Sequence, residues 1–135
     1  MTINKGDIVK INKDVFKKNG KVLFNNNAHL FVVLNKDDNN MLTCCTISSA
    51  KNKVNKKYKY NIPINDISQA HLNKPDSHVK VDKQTIKISE NDIIQKIGHL
   101  SNEDYINIMT AFHKVPESDI EVMESLNLFN LLKQL

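Results

Sequence analysis

The sequence predicts an α+β, mainly β domain: a small, curled, barrel-like antiparallel sheet followed by C-terminal helices. Three observations carry this. Many short segments alternate apolar and polar residues at close spacing, as half-buried strands do. One stretch, Phe31-Val32-Val33-Leu34, is continuously apolar and fits a strand covered on both faces. After Ser101 the apolar period changes from two residues to between three and four, the spacing of an amphipathic helix.

The chain is organised around residues 28–49. His29–Asn35 and Met41–Ser48 read as two buried strands joined by the polar turn Lys36-Asp37-Asp38-Asn39-Asn40. The second strand carries small hydroxyls and thiols: Thr43, Cys44, Cys45, Thr46 and Ser48. Alternation places Thr46 and Ser48 on one face with Cys44, and Ile47 with Cys45 on the other. A strand presenting hydroxyls beside one that begins with a histidine is where the sequence concentrates chemistry.

In chain order, Gly6 opens a first short strand through Ile8-Val9-Lys10-Ile11. Lys17-Lys18-Asn19-Gly20 reads as a turn, and Val22-Leu23-Phe24 as a brief strand or loop anchor. Residues 50–60 interleave Lys51, Lys53, Lys56, Lys57 and Lys59 with Tyr58 and Tyr60. Such a run suits either a basic ribbon whose aromatics stack on bases or a lysine-protected sheet edge. Ile62-Pro63-Ile64 suggests a turn leading into at most one helical turn before Pro75. His78–Asp82 and Thr85–Ser89 alternate as a hairpin through Asp82-Lys83-Gln84, and Ile93–Ile97 forms a sixth strand closed by Gly98. Ser101-Asn102-Glu103-Asp104 resembles a capping box with aspartate as its acid, ahead of Tyr105, Ile108, Met109 and Phe112. Ser118-Asp119-Ile120-Glu121 is a second box, so an added helix is expected over 118–135.

The bulk properties bound the function. At 135 residues and 15.5 kDa, with 40% apolar and 25% charged residues, the chain is one ordinary globular domain. No window approaches the ~18 apolar residues of a membrane span, and the N-terminus lacks a signal-peptide core, so a cytoplasmic location is expected. Adjacent Cys44 and Cys45 point to opposite faces of a strand and suit buried packing in a reducing compartment. No Cys/His spacing resembles a metal site, and no cofactor is called for. The net charge is +4 and every basic residue is lysine, which permits a polyanionic partner but lacks arginine's bidentate phosphate grip.

Taken together, Lys5-Gly6-Asp7 before a strand, Val32-Val33-Leu34-Asn35, Ser77-His78-Val79, and Gln95-Lys96-Ile97-Gly98-His99-Leu100 running into a helix resemble the MazF/PemK family of toxin endoribonucleases. The order of these segments, from Lys5 to about Phe112, carries the resemblance more than any one motif. It implies an SH3-like barrel, a homodimer, metal-independent cleavage of single-stranded RNA, and an antitoxin partner. In that chemistry a ribose 2′-OH attacks its own phosphate, which requires proton acceptance, proton donation and a cation. The chain departs from the family at its key positions. His29 and Leu30 stand in place of Arg-Pro, and Gly98 in place of the arginine of the later strand. The threonine position falls on Ile47, or on Thr46 or Ser48 with a one-residue slip. The expected site is therefore His29 as acid/base with Thr46 or Ser48 as hydroxyl donor. Lys51, Lys53, Lys56, Lys57 and Tyr58 would contact RNA. The alternative is a member of the fold that has lost catalysis and binds nucleic acid or protein. His71, His78, His99 and His113 are each expected to be a capped or half-exposed side chain without a chemical role.

Overall fold

The computed structural model describes residues 2–11, 17–18, 21–22, 30–49, 60–74, 76–82, 85–116 and 122–124. These form ten strands and one α-helix. The strands are β1 (Asp7–Ile11), β2 (Lys17–Lys18), β3 (Lys21–Val22), β4 (Leu30–Lys36), β5 (Met41–Ser49), β6 (Asn61–Pro63), β7 (Ser77–Lys80), β8 (Thr85–Ser89), β9 (Ile93–His99) and β10 (Val122–Glu124). The helix, α1, spans Asn102–Lys114. The main sheet runs β10-β8-β5-β4-β1-β9, with β7 also on β5 and β6 on β7, while β2 and β3 pair separately. Every pairing is antiparallel except β10 on β8.

The continuous apolar run does what its composition requires. Phe31 and Val33 enter one buried cluster with Val9, Leu42, Cys44, Ile86 and Ile88. Val32 and Leu34 enter a second with Ile8, Cys45, Ile47, Val79 and Ile108. The sheet is thus covered on both faces, and each such aliphatic side chain is worth roughly 1.5–3 kcal/mol when removed from water. Leu34 stands between two registers, Val33↔Cys44 and Asn35↔Thr43, so β4 bulges there. The bulge's carbonyl is satisfied from outside the sheet, accepting from the Tyr105 hydroxyl at 3.1 Å.

Four expectations are corrected. β7 and β8 do not form a hairpin: β8 pairs with Met41–Cys44 and β7 with Ile47–Ser49, end to end along one edge of β5. Alternation looks the same whether a chain turns back or steps aside and continues, so the pattern could not separate the two. Asn61–Pro63 is a strand on β7, and Lys17–Lys18 is a strand on β3 rather than part of a turn. Val122–Glu124, inside the expected second helix, pairs with Thr85–Lys87 as a strand. Satisfying the open edge of β8 outweighs helical spacing over those three residues; the rest of 118–135 lies outside the described residues apart from this strand.

The first capping signal holds. The Ser101 hydroxyl accepts from the Asp104 amide at 3.2 Å, acidic residues fill the first turn, and His113 and Lys114 end the helix ahead of Pro116. The Asp104 carboxylate, however, turns away from the cap. It accepts from the backbone amides of Asn65 (3.1 Å) and Asp66 (2.9 Å), tying residues 64–67 to the helix.

Candidate active site

The chemistry gathers where β5 meets β7. Ser48 and His78 are directly opposite in that ladder, which puts their side chains on one face. Ser48 Oγ lies 3.3 Å from His78 Nε2, and His78 Nδ1 lies 3.4 Å from the Asp76 carbonyl oxygen. A carbonyl only accepts, so Nδ1 carries the ring proton and Nε2 accepts from the serine hydroxyl. Burial pushes the His78 pKa below the ordinary histidine value. The Asp76 carbonyl opposes that shift, and the Lys80 charge adds to it. The ring is therefore a neutral proton acceptor behind a half-buried hydroxyl. His78 itself is 4% exposed, so Ser48 is the member that a ligand can reach.

The other expected site residues divide. Thr46 lies opposite Phe31 and is 1% exposed, set into the sheet rather than presented at its surface. His29, Lys51, Lys53, Lys56, Lys57 and Tyr58 lie outside the described residues. The cysteines are inert packing. Burial raises both thiols, Cys45 to about 12 despite a hydrogen bond with Thr85, so neither forms a thiolate near neutral pH. Among the described residues no group of His, Cys, Asp or Glu is placed to hold a metal ion, and no helix is long and apolar enough to cross a membrane.

Sequence reasoning did not single out His78, and its signal was slender. Ser77-His78-Val79 reads as a strand, but its partner depends on the pairing of β7 with β5, 30 residues away for Ser48 and His78.

A second imidazole is held at the β1–β9 pairing. His99 Nδ1 lies 3.0 Å from Asp7 Oδ1, and Lys96 Nζ lies 3.3 Å from Asp7 Oδ2. The Asn4 amide donates to Oδ2 at 2.7 Å. Asp7 is 1% exposed, and three donors offset the desolvation of its charge. Between the two basic residues, Gly98 abuts the turn at residue 70. A Cβ there would run into the carbonyl oxygen of Ala70, so no side chain, arginine included, fits at that position without moving the backbone.

A hydroxyl held on a neutral imidazole defines a proton-transfer couple of the kind used in group transfer. A model of the PemK-like, MazF-like toxins of type II toxin-antitoxin systems matches residues 4–115. The chain belongs to this toxin family, whose systems pair each toxin with an antitoxin protein. A search of curated proteins gave no match. The match ends at residue 115, directly after α1, so β10 lies beyond the family core.

Proposed function

We propose that this toxin is a metal-independent endoribonuclease that cleaves single-stranded RNA in the cytoplasm, built as an SH3-like barrel and working as a homodimer restrained by its antitoxin. Family membership supports the toxin role. The observation that carries the chemistry is the contact of Ser48 Oγ with His78 Nε2, with Nδ1 turned to a backbone carbonyl.

In this reading Ser48 is the catalytic residue and His78 acts through it. The ribose 2′-oxygen attacks the adjacent phosphorus as its proton passes to Ser48 Oγ, while the serine proton passes to His78 Nε2. The O2′–P bond forms and the P–O5′ bond breaks, leaving a 2′,3′-cyclic phosphate. The departing 5′-oxygen takes a proton from a second group, the role assigned to His29. Lys51, Lys53, Lys56 and Lys57 supply positive charge for the phosphorane, and Tyr58 stacks on a base. Between the two candidate hydroxyls Ser48 is favoured over Thr46, because it is half-buried and within hydrogen-bond reach of the His78 imidazole, whereas Thr46 is buried in the sheet.

The test incubates purified protein with mixed-sequence single-stranded RNA in EDTA, beside Ser48→Ala, His78→Gln and His29→Ala. Wild type cleaves, and Ser48→Ala loses about 10²-fold or more of the rate, the usual worth of a positioned proton-transfer group. Cleavage that survives Ser48→Ala overturns the assignment of this residue. No cleavage by the wild type, with salt-sensitive retention of RNA, establishes instead the binding module that has lost catalysis.

A further inference from the structure

The couple at Ser48 leaves unused a second imidazole, that of His99, which the fold holds on a buried carboxylate. We propose that His99 and Lys96, set in place by the Asp7 carboxylate, form a second subsite that grips a backbone phosphate of the same RNA; this rests on RNA being the substrate. Asp7 can only accept, so the short contact with His99 fixes the proton on Nδ1 and leaves Nε2 as the free ring nitrogen. The His99 side chain is 46% exposed although its anchor is buried. Lys96, 40% exposed, uses one of three ammonium protons on Asp7 and keeps the others for a ligand.

The surroundings hold the ring rather than cover it. Gly6, at φ +87°, brings its backbone beside the imidazole: a Cβ there would stand 3.5 Å from His99 Cε1 and 3.5 Å from Tyr105 Cδ2. Gly98 adds no side chain between the two basic residues. The donor set selects the ligand: the exposed Lys96 ammonium offers protons beyond the one on Asp7, beside an exposed ring nitrogen, and an ammonium suits the oxygens of a phosphate.

The phosphate is not the scissile one. The Gly6 amide donates to the Val33 carbonyl, and Val33 pairs with Cys44, four positions short of Ser48 on β5. At about 3.3 Å per residue that offset is roughly 13 Å along the strand before the sheet is crossed to β9. The subsite therefore acts on affinity and footprint, and not on the bond that breaks.

The experiment measures fluorescence anisotropy of a labelled mixed-sequence 2′-O-methyl oligonucleotide, whose attacking hydroxyl is capped, against wild type, His99→Asn and Lys96→Gln over a salt series. Asparagine keeps an N–H toward Asp7 but has nothing at the Nε2 position, so a purely structural role for His99 survives it. Thermal unfolding is read in parallel. We expect His99→Asn and Lys96→Gln to bind about three- to tenfold more weakly, the net worth of one solvent-exposed hydrogen bond. Lys96→Gln also makes the slope of log affinity against log salt shallower by about 0.7, the single-strand value per contact. Unchanged affinity and slope in both variants overturn the subsite alone. A wild type that retains no oligonucleotide and cleaves no RNA overturns the RNA reading and the subsite with it.

Discussion

The sheet holds two imidazoles in opposite ways. His78 is 4% exposed, gives its Nδ1 proton to a carbonyl and offers Nε2 to a serine. His99, its side chain 46% exposed, gives Nδ1 to a carboxylate and leaves Nε2 uncommitted. Burial beside a neutral partner keeps the His78 ring uncharged, whereas His99 stands on a buried carboxylate with its other nitrogen toward solvent. One residue type is thus placed to accept a proton on one edge of the sheet and to present an exposed ring nitrogen on another. Its partners decide which.

Four changes would break or sharpen that contrast. The largest effect belongs to Gly98→Ala, which forces a Cβ into the Ala70 carbonyl. It costs about 3 kcal/mol, at the upper end for overpacking, and is read as a fall in unfolding midpoint. Asp7→Asn comes next. It leaves Lys96 and His99 without their counter-charge, but both reach water, so the loss is about 2 kcal/mol rather than the 3–5 of a fully buried pair. Tyr105→Phe leaves the carbonyl of the Leu34 bulge without its hydroxyl donor, for about 1 kcal/mol in chemical denaturation.

The smallest change separates the imidazoles by pH. His78 has a lowered pKa in the folded state, so below about 6.5 the unfolded chain takes up a proton that the native ring resists. Its contribution is level above the unfolded value, and stability falls as pH drops from there toward the folded value. In His78→Gln that part of the acid loss disappears, as a pH series of unfolding midpoints would show. An identical acid profile in the variant would mean that the ring is not held neutral.

Local patterns made much of the fold legible. The run Phe31–Leu34 announced a strand buried on two faces, and Ser101 announced the start of a helix. Thr46 and Ser48 share a face as period-2 alternation requires. What stayed hidden depended on pairing between distant segments. The hairpin expected between β7 and β8 failed because both strands align on β5, a choice made by tertiary partners and not by either strand's own residues. Ser48 is among the candidate residues, and His29, the imidazole the sequence sets beside it, lies outside the described residues. In the fold Ser48 receives His78, which a lone S-H-V segment gives no reason to single out. The Asp7–His99 contact spans 92 positions and leaves no local trace. Gly98 looked like a strand terminator or a lost arginine, and proves to be a site of close backbone approach.

The pairing of β1 with β9 also bears on the order of assembly during synthesis. β1 is made well before the strand that flanks it, and the Asp7–His99 contact between them spans 92 positions. Until that strand has been made, the Asp7 carboxylate lacks both basic side chains and β1 lacks one neighbour. A fragment that stops short of β9 therefore leaves a buried carboxylate without its cations and one side of β1 unpaired.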